Sequence, residues 1–290
     1  MFSRTARVFV PQCTQVRGMA TLKEIRLRLK SITNIQKITK SMQMVSAAKF
    51  AKAEKELKPA RVYGNGAKTF YAESEVTAPE NVEGKVLLAM TSDRGLCGAC
   101  HSNIAKSIKA EMADEKTANS AKLVLVGDKA KAILQRPFAK NMLLSFNEIG
   151  KKPPLFQDAA TVAQSILDSG FKFDVANMYY NTYKTVVSYE TTELPLYTAD
   201  TLFASKNITQ YDSVDQVTLA CYNEFSMANL IYFGMKESAC SEQSSRMTAM
   251  DGASKNAGEM IDSLTLTFNR TRQAVITREL IEIISGAAAL

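Results

Sequence analysis

Thr21-Leu-Lys-Glu-Ile-Arg-Leu-Arg-Leu-Lys-Ser-Ile-Thr-Asn-Ile-Gln-Lys-Ile-Thr-Lys40, continued by Ser-Met-Gln-Met-Val-Ser-Ala-Ala-Lys49, repeats apolar residues at helical spacing. Ile25, Leu29, Ile32, Ile35, Ile38, Met42, Val45 and Ala48 step by three or four. That spacing predicts one long helix with a narrow apolar seam rather than a broad apolar face. No proline stands between Pro11 and Pro59, and no glycine between Gly18 and Gly64. Helix breakers are therefore absent where the helix is expected. About forty residues at the α-helical rise span roughly 60 Å.

The other end of the chain carries the same pattern. After Pro195 there is no proline, and only Gly234, Gly252, Gly258 and Gly286 occur from there on. Met247, Met250, Ala253, Ala257, Ile261, Leu264 and Phe268 step by three or four. Leu280, Ile284 and Ala287 continue the series past the polar stretch 269–273. A helix from near Asp215 to the end runs on the order of 100 Å. Two such seams can bury each other antiparallel, and the small residues Ala253, Ser254 and Ala257 allow close approach. The C-terminal helix is the longer, so its last part is expected to project beyond the pair.

Between the helices the pattern changes. Lys85–Thr91, Lys122–Asp128, Phe173–Tyr180 and Thr185–Tyr189 read as short strands, with helical stretches at Ser102–Asp114 and Ala159–Ser169. Strand and helix in alternation predict an α/β domain with a buried, mostly parallel sheet. The expected fold class is α/β: a long antiparallel coiled coil of N- and C-terminal helices with an inserted Rossmann-like α/β domain. The expected division is 1–19 targeting segment, 20–63 N-terminal helix, 64–212 α/β domain and 213–290 C-terminal helix.

The formal net charge is +7 over 290 residues, and it is unevenly placed. Residues 1–20 carry Arg4, Arg7 and Arg17 and no acid. This hydroxyl-bearing, acid-free start reads as a mitochondrial transit peptide, with cleavage expected between Met19 and Ala20. Residues 21–62 hold eleven Lys or Arg against Glu24, Glu54 and Glu56. A basic helix of this kind can bind nucleic acid through counterion release. Only Phe50 supplies an aromatic platform in it before Tyr63, so we expect no nucleic-acid partner and assign the charge to acidic protein surfaces.

No stretch approaches the roughly 20 apolar residues of a membrane span. His101 is the only histidine, which speaks against a multi-histidine metal centre. Cys13, Cys97, Cys100, Cys221 and Cys240 are odd in number and scattered, unlike a secreted disulfide framework. Cys97-Gly-Ala-Cys100-His101 matches the C-x-x-C-H pattern of haem attachment and, as a C-x-x-C, that of a redox dithiol. The plainer reading is a strand-to-helix turn whose cysteines pack as small apolar residues. Asp93-Arg-Gly-Leu-Cys-Gly98 suggests a phosphate loop but lacks both standard glycine signatures. No cofactor and no metal are expected. A nucleotide-binding or dithiol redox protein using the α/β domain is the alternative.

Four blocks carry a family resemblance. The quoted Thr21–Lys49 closely resembles the N-terminal helix of the ATP synthase gamma subunits. Ile276-Thr-Arg-Glu279-Leu-Ile-Glu282-Ile-Ile-Ser-Gly286-Ala-Ala-Ala-Leu290 resembles their C-terminal signature, and Ser92-Asp-Arg-Gly-Leu-Cys-Gly98 their central motif. Ser245-Arg-Met-Thr-Ala-Met-Asp-Gly-Ala-Ser-Lys-Asn256 is also similar. With the targeting segment, the resemblance is to the mitochondrial form.

The resemblance implies a non-catalytic rotor shaft that couples proton-driven rotation to ATP synthesis. It implies as partners an alpha3-beta3 hexamer, the small delta and epsilon stalk subunits and a c ring, with membrane association only through the complex. Arg272, Gln273, Thr277 and Met42 fall where the family contacts beta subunits. Leu280, Ile283, Ile284, Ala287 and Leu290 correspond to an apolar bearing tip.

Overall fold

The computed structural model describes residues 21–76, 84–114, 120–205, 207–211 and 214–288. The targeting segment 1–19, its cleavage point at Met19 and Ala20, and Leu290 of the tip lie outside the described residues. The elements are α1 (Leu22–Glu73), β1 (Lys85–Met90), α2 (Cys100–Glu111), β2 (Ala121–Val126), α3 (Asp128–Phe138), β3 (Met142–Phe146), α4 (Phe156–Leu167), β4 (Val175–Tyr183), β5 (Tyr189–Tyr197), α5 (Ala199–Phe203) and α6 (Gln216–Ala288). The chain divides into two compact units, Ile38–Ser254 and the pair Met1–Lys37 with Lys255–Leu290.

In the larger unit the sheet runs β3-β2-β1-β4-β5. β3, β2, β1 and β4 are parallel neighbours, and β5 closes the edge antiparallel to β4, with Ala176 opposite Leu196. β1 is apolar without alternation, and Val86, Leu87, Leu88 and Ala89 are fully buried. That is the signature of a strand covered on both faces. Ile104 and Ile108 of α2 and Leu134 of α3 cover one face with Leu87, Leu123 and Leu125. Val162 and Ile166 of α4, Ala67 of α1, and Leu230 and Phe233 of α6 cover the other, against Val86, Leu88 and Met178. The α/β reading therefore holds, and the two long helices form part of this core.

The helices pack antiparallel in each unit. In the larger one, Gln43 Nε2 donates to Asp251 Oδ1 at 2.9 Å and Arg61 meets Glu237, so partners descend along α6 as they ascend along α1. A Cβ on Gly64 would stand 2.4 Å from the Phe233 ring, so this crossing requires glycine. In the smaller unit, Arg26 lies 5.7 Å over the Phe268 ring and Gln36 neighbours Gly258.

The seam of α1 differs from the one expected. The inward positions are Ile25, Leu29, Ile32, Gln36, Thr39, Gln43, Ser46, Phe50, Ala53 and Leu57, all at least partly buried. Their steps alternate four and three without a break, a heptad spacing. Ile35, Ile38 and Val45, placed in the seam on hydrophobicity, are exposed, as is Ala48. Two successive steps of three after Ile32 turn a stripe back by about 120°, off the seam. Polar Gln36, Thr39, Gln43 and Ser46 take their places.

Three further readings change. α1 continues through Pro59 to Glu73, ten residues past the expected end at Tyr63. Thr185–Ser188 is the tip of the β4–β5 hairpin and not a strand, and the strand begins at Tyr189; Thr185 N–H donates to Ser188 O at 3.0 Å. α3 and β3 are additions to the expected elements: α3 carries Pro137 in its last turn, and β3 is a short, half-buried strand at the sheet edge beside β2.

Candidate functional site

From Ile276 to Ala288 every residue of α6 is exposed, including Leu280, Ile281, Ile283 and Ile284 at 52–67%. The inward heptad of α6 ends at Phe268, Thr271 and Val275. Beyond it no described residue buries the helix, which keeps its apolar side chains. At 100° per residue, Arg272, Gln273, Thr277, Leu280, Ile283, Ile284 and Ala287 share an arc of about 140°. Arg278, Glu279, Glu282 and Ser285 occupy the opposite side. Arg272, Gln273 and Thr277 of the expected contacts and Leu280, Ile283, Ile284 and Ala287 of the expected tip thus form one continuous face, polar at Arg272–Thr277 and apolar beyond.

Arg272 makes no ion pair or hydrogen bond among the described residues. Thr277 bonds only its own helix, Oγ1 donating to Gln273 O at 2.9 Å. Both side chains are exposed. Met42 belongs to the other unit, half-buried on α1 beside exposed Met44 and Val45.

The Cys97-x-x-Cys100-His101 turn is a structural joint. Cys97 and Cys100 are 2% and 1% exposed, and His101 is also buried. Asn181 Nδ2 donates to the Cys100 carbonyl at 3.0 Å and to its sulfur at 2.9 Å. His101 Nε2 lies 3.0 Å from Arg94 O and 3.3 Å from Ser92 Oγ. The neighbouring Cys100 thiol, with help from His101 and Arg246, holds the Cys97 thiol well below its ordinary range, against burial. Cys100 moves up, through Cys97 and through its own burial. Burial draws His101 down, but Cys97 and Glu242 outweigh it and leave its pKa raised. A low-pKa thiol this deeply buried is poorly placed to attack a partner in solution. Among the described residues no group of three or more His, Cys, Asp or Glu can hold a metal ion.

The same loop grips α6. Ser245 Oγ donates to Cys97 O at 2.6 Å, and Arg246 Nε to Gly95 O at 3.2 Å, while the Arg246 guanidinium pairs with buried Glu242. On its other side Asp93 Oδ1 accepts the Asp128 N–H at 2.9 Å at the start of α3. Two of the family-like sequence blocks, at Ser92–Gly98 and Ser245–Asn256, therefore bond to each other. Neither builds a reaction centre; together they fasten the long helix to the sheet. Sequence reasoning missed this joint; an acid and a base four apart, Glu242 and Arg246, in a serine-rich stretch of the helix were its visible signal.

A family model described as ATP synthase matches residues 21–290. The chain is 57% identical over 277 residues to "ATP synthase subunit gamma, mitochondrial" of Drosophila melanogaster, covering 95% of this chain and 93% of that protein. It is 54% identical over 272 residues to the "ATP synthase F(1) complex subunit gamma, mitochondrial" of Rattus norvegicus, covering 93% and 100%. Among solved structures, a chain of the Tetrahymena thermophila mitochondrial ATP synthase central stalk and c ring matches at TM-score 0.65 and 30% identity, over 75% of this chain and 99% of that one. A Euglena gracilis mitochondrial ATP synthase chain shares the fold at TM-score 0.79 and 20% identity, over 92% and 94%. The chain belongs to the gamma-subunit family of the ATP synthases.

Proposed function

We propose that this chain is the central shaft of a mitochondrial F-type ATP synthase, turning inside an alpha3-beta3 hexamer and standing on a c ring beside the delta and epsilon stalk subunits. It breaks and makes no covalent bonds. Its orientation selects among conformations of the catalytic beta subunits, since a shaft that contacts one conformation better shifts its population. The observation that carries this reading is the exposed end of α6. An isolated helix with an apolar band is costly in water and suits an enclosing sleeve.

In that sleeve Leu280, Ile283, Ile284, Ala287 and Leu290 act as the bearing, because apolar contact has few directional bonds to break on turning. Arg272, Gln273 and Thr277 act as an angle-dependent latch on beta, Arg272 through charge-assisted hydrogen bonds to carboxylates. Met42 meets a beta lever on the α1 side. Exposed Ile35, Ile38 and Val45 extend the surface available to the hexamer. The joint at Cys97–Arg246 and the α/β domain form the foot that takes up torque. Residues 1–19 direct the chain to the matrix and are removed at Met19–Ala20. No helix among the described residues is long and apolar enough to cross a membrane, so contact with the inner membrane is through the complex.

Native mass spectrometry of the tagged chain, purified gently from mitochondria, tests the assignment. One copy with three alpha and three beta chains is the expected composition. A free chain, or unrelated partners, contradicts it.

A further inference from the structure

Two adjoining cavities of about 340 and 230 Å³ lie in the larger unit, and they share the wall Gly150–Pro154 together with Ala239 and Glu242. The first opens outside the carboxyl ends of β1 and β2, at Met90, Ser92 and Val126. Open α/β sheets hold ligands outside the carboxyl ends of their strands, foremost where the strand order reverses, here between β1 and β4, one strand from this cavity. Its volume is in the range of small-molecule sites. Met90, Ile149, Leu155 and Met235 give it apolar walls.

The second cavity differs in charge. Lys49, Lys52, Lys151, Lys152 and Lys236 line it against only Glu56 and Glu242. The acids around both cavities are already engaged. Glu242 is paired with Arg246, Glu56 accepts from Lys236 at 2.8 Å, and Glu148 accepts from Lys151 at 2.9 Å. Asp158 accepts the Leu155 N–H at 2.9 Å. Lys49 and Lys152 make no ion pair among the described residues, and Lys52 reaches Glu56 only at 3.9 Å. Gln243 also lines this cavity, and its buried Oε1 has no hydrogen-bond partner. An apolar slot thus opens beside Lys49 and Lys152, which make no ion pair among the described residues, with Lys52 held only by a long pair to Glu56, and beside one unfilled acceptor.

We propose that this crevice binds a small phosphorylated ligand of the nucleotide class, its phosphates on Lys49, Lys52 and Lys152 and its apolar portion between Met90, Ile149 and Met235. Gln243 Oε1 takes a ligand hydroxyl. The binding is distinct from the phosphate loop that the sequence suggested, since residues 93–98 are spent on fastening α6. It adds to the shaft function a ligand on the shaft itself, and it does not depend on which subunits surround the chain.

The test is lysine footprinting of the assembled complex. The complex is acetylated briefly with and without ADP, or with and without pyrophosphate, and label is read by peptide mass on this chain alone. ADP is expected to protect Lys49, Lys52 and Lys152 several-fold, while Lys106 and Lys109, on the opposite face of the sheet, label as before. Lys49→Gln and Lys152→Gln are each expected to raise the ADP concentration for half-protection of Lys52 about tenfold. Equal labelling with and without ADP overturns the proposal. So does protection that survives both substitutions unchanged, because it then comes from nucleotide bound elsewhere in the complex. Protection by pyrophosphate equal to that by ADP overturns the apolar half of the site.

Discussion

The carboxylate of Glu237, buried on α6 at 1% side-chain exposure, accepts the Nε–H of Arg61 on α1 at 2.6 Å and the backbone N–H of Tyr183 at 2.9 Å. One side chain thereby ties both long helices to the β4–β5 hairpin. Arg61 also donates to Tyr183 O at 2.7 Å, so the tie is closed on three sides. The pairing holds the Arg61 guanidinium above its ordinary pKa, chiefly through its hydrogen bond to Glu237. Apolar seams resist separation but slide; a charged bond of fixed geometry sets the register of one helix on the other.

Glu237→Gln keeps the shape and one acceptor but removes the charge. It is expected to lower the unfolding free energy of the chain by about 2 kcal/mol, the scale of a hydrogen bond to a charged group. Urea unfolding of the full-length chain measures it. A change within experimental error would mean that the tie contributes nothing to register or stability.

The heptad places Ile25 inside and Ile35 outside, at 4% and 49% exposure. Ile25→Ala is expected to cost about 2–4 kcal/mol. Ile35→Ser should stay within roughly 0.5 kcal/mol in the isolated chain. If Ile35 faces the hexamer, its substitution should instead weaken association with alpha and beta subunits. Equal losses of chain stability at both positions would contradict the heptad.

Burial pushes the Tyr71 phenol up to about 12, while an unfolded tyrosine ionises near 10. Between those values the unfolded chain holds fewer protons than the folded one, so stability falls as pH rises. The contribution is intact below pH 10 and lost progressively toward 12, over a span worth about 3 kcal/mol. Tyr71→Phe keeps the edge contact with Tyr197, now at 5.2 Å between ring centroids, and removes the titration. Stability curves of the two proteins should nearly coincide at pH 8 and diverge above 10, with the variant the more stable. Parallel curves through pH 11 would refute the assignment.

Arg272→Ala should leave the complex assembled and lower ATP turnover, by up to about tenfold if one charge-assisted latch is lost. Arg272→Lys should fall between, because an ammonium keeps the charge without the planar fork. Unchanged turnover in the alanine variant would remove Arg272 from the latch.

Much of this molecule could be read from breaker spacing alone. The absence of proline and glycine over 21–58 and the absence of proline after Pro195 marked both long helices. The unbroken apolar run Val86–Met90 marked the central strand. Hydrophobicity failed where polar residues fill a heptad: Thr39 and Ser46 are buried while Ile38 and Val45 are exposed. Ile35, Ile38 and Val45 are thus surface residues of α1, the ones the proposed shaft would turn toward the hexamer. The block 276–290 was visible as a family-like signature, but that Arg272 and Ile284 share a face with Leu280 follows from the helix continuing unbroken through 269–273. The joint between Cys97 and Ser245 joins positions 148 residues apart, and its one local signal, Glu242 and Arg246 four apart, does not name the loop that α6 is fastened to.

Rotation itself is the most direct test. Cys221 is exposed, whereas Cys97, Cys100 and Cys240 are buried, so a biotin placed on it reports the motion of the α/β foot. With the hexamer fixed to glass through its beta subunits and a bead on Cys221, added ATP should drive the bead in one direction through three dwell positions per turn. Hydrolysis by the same immobilised complexes with the bead only fluctuating about one angle would contradict a turning shaft.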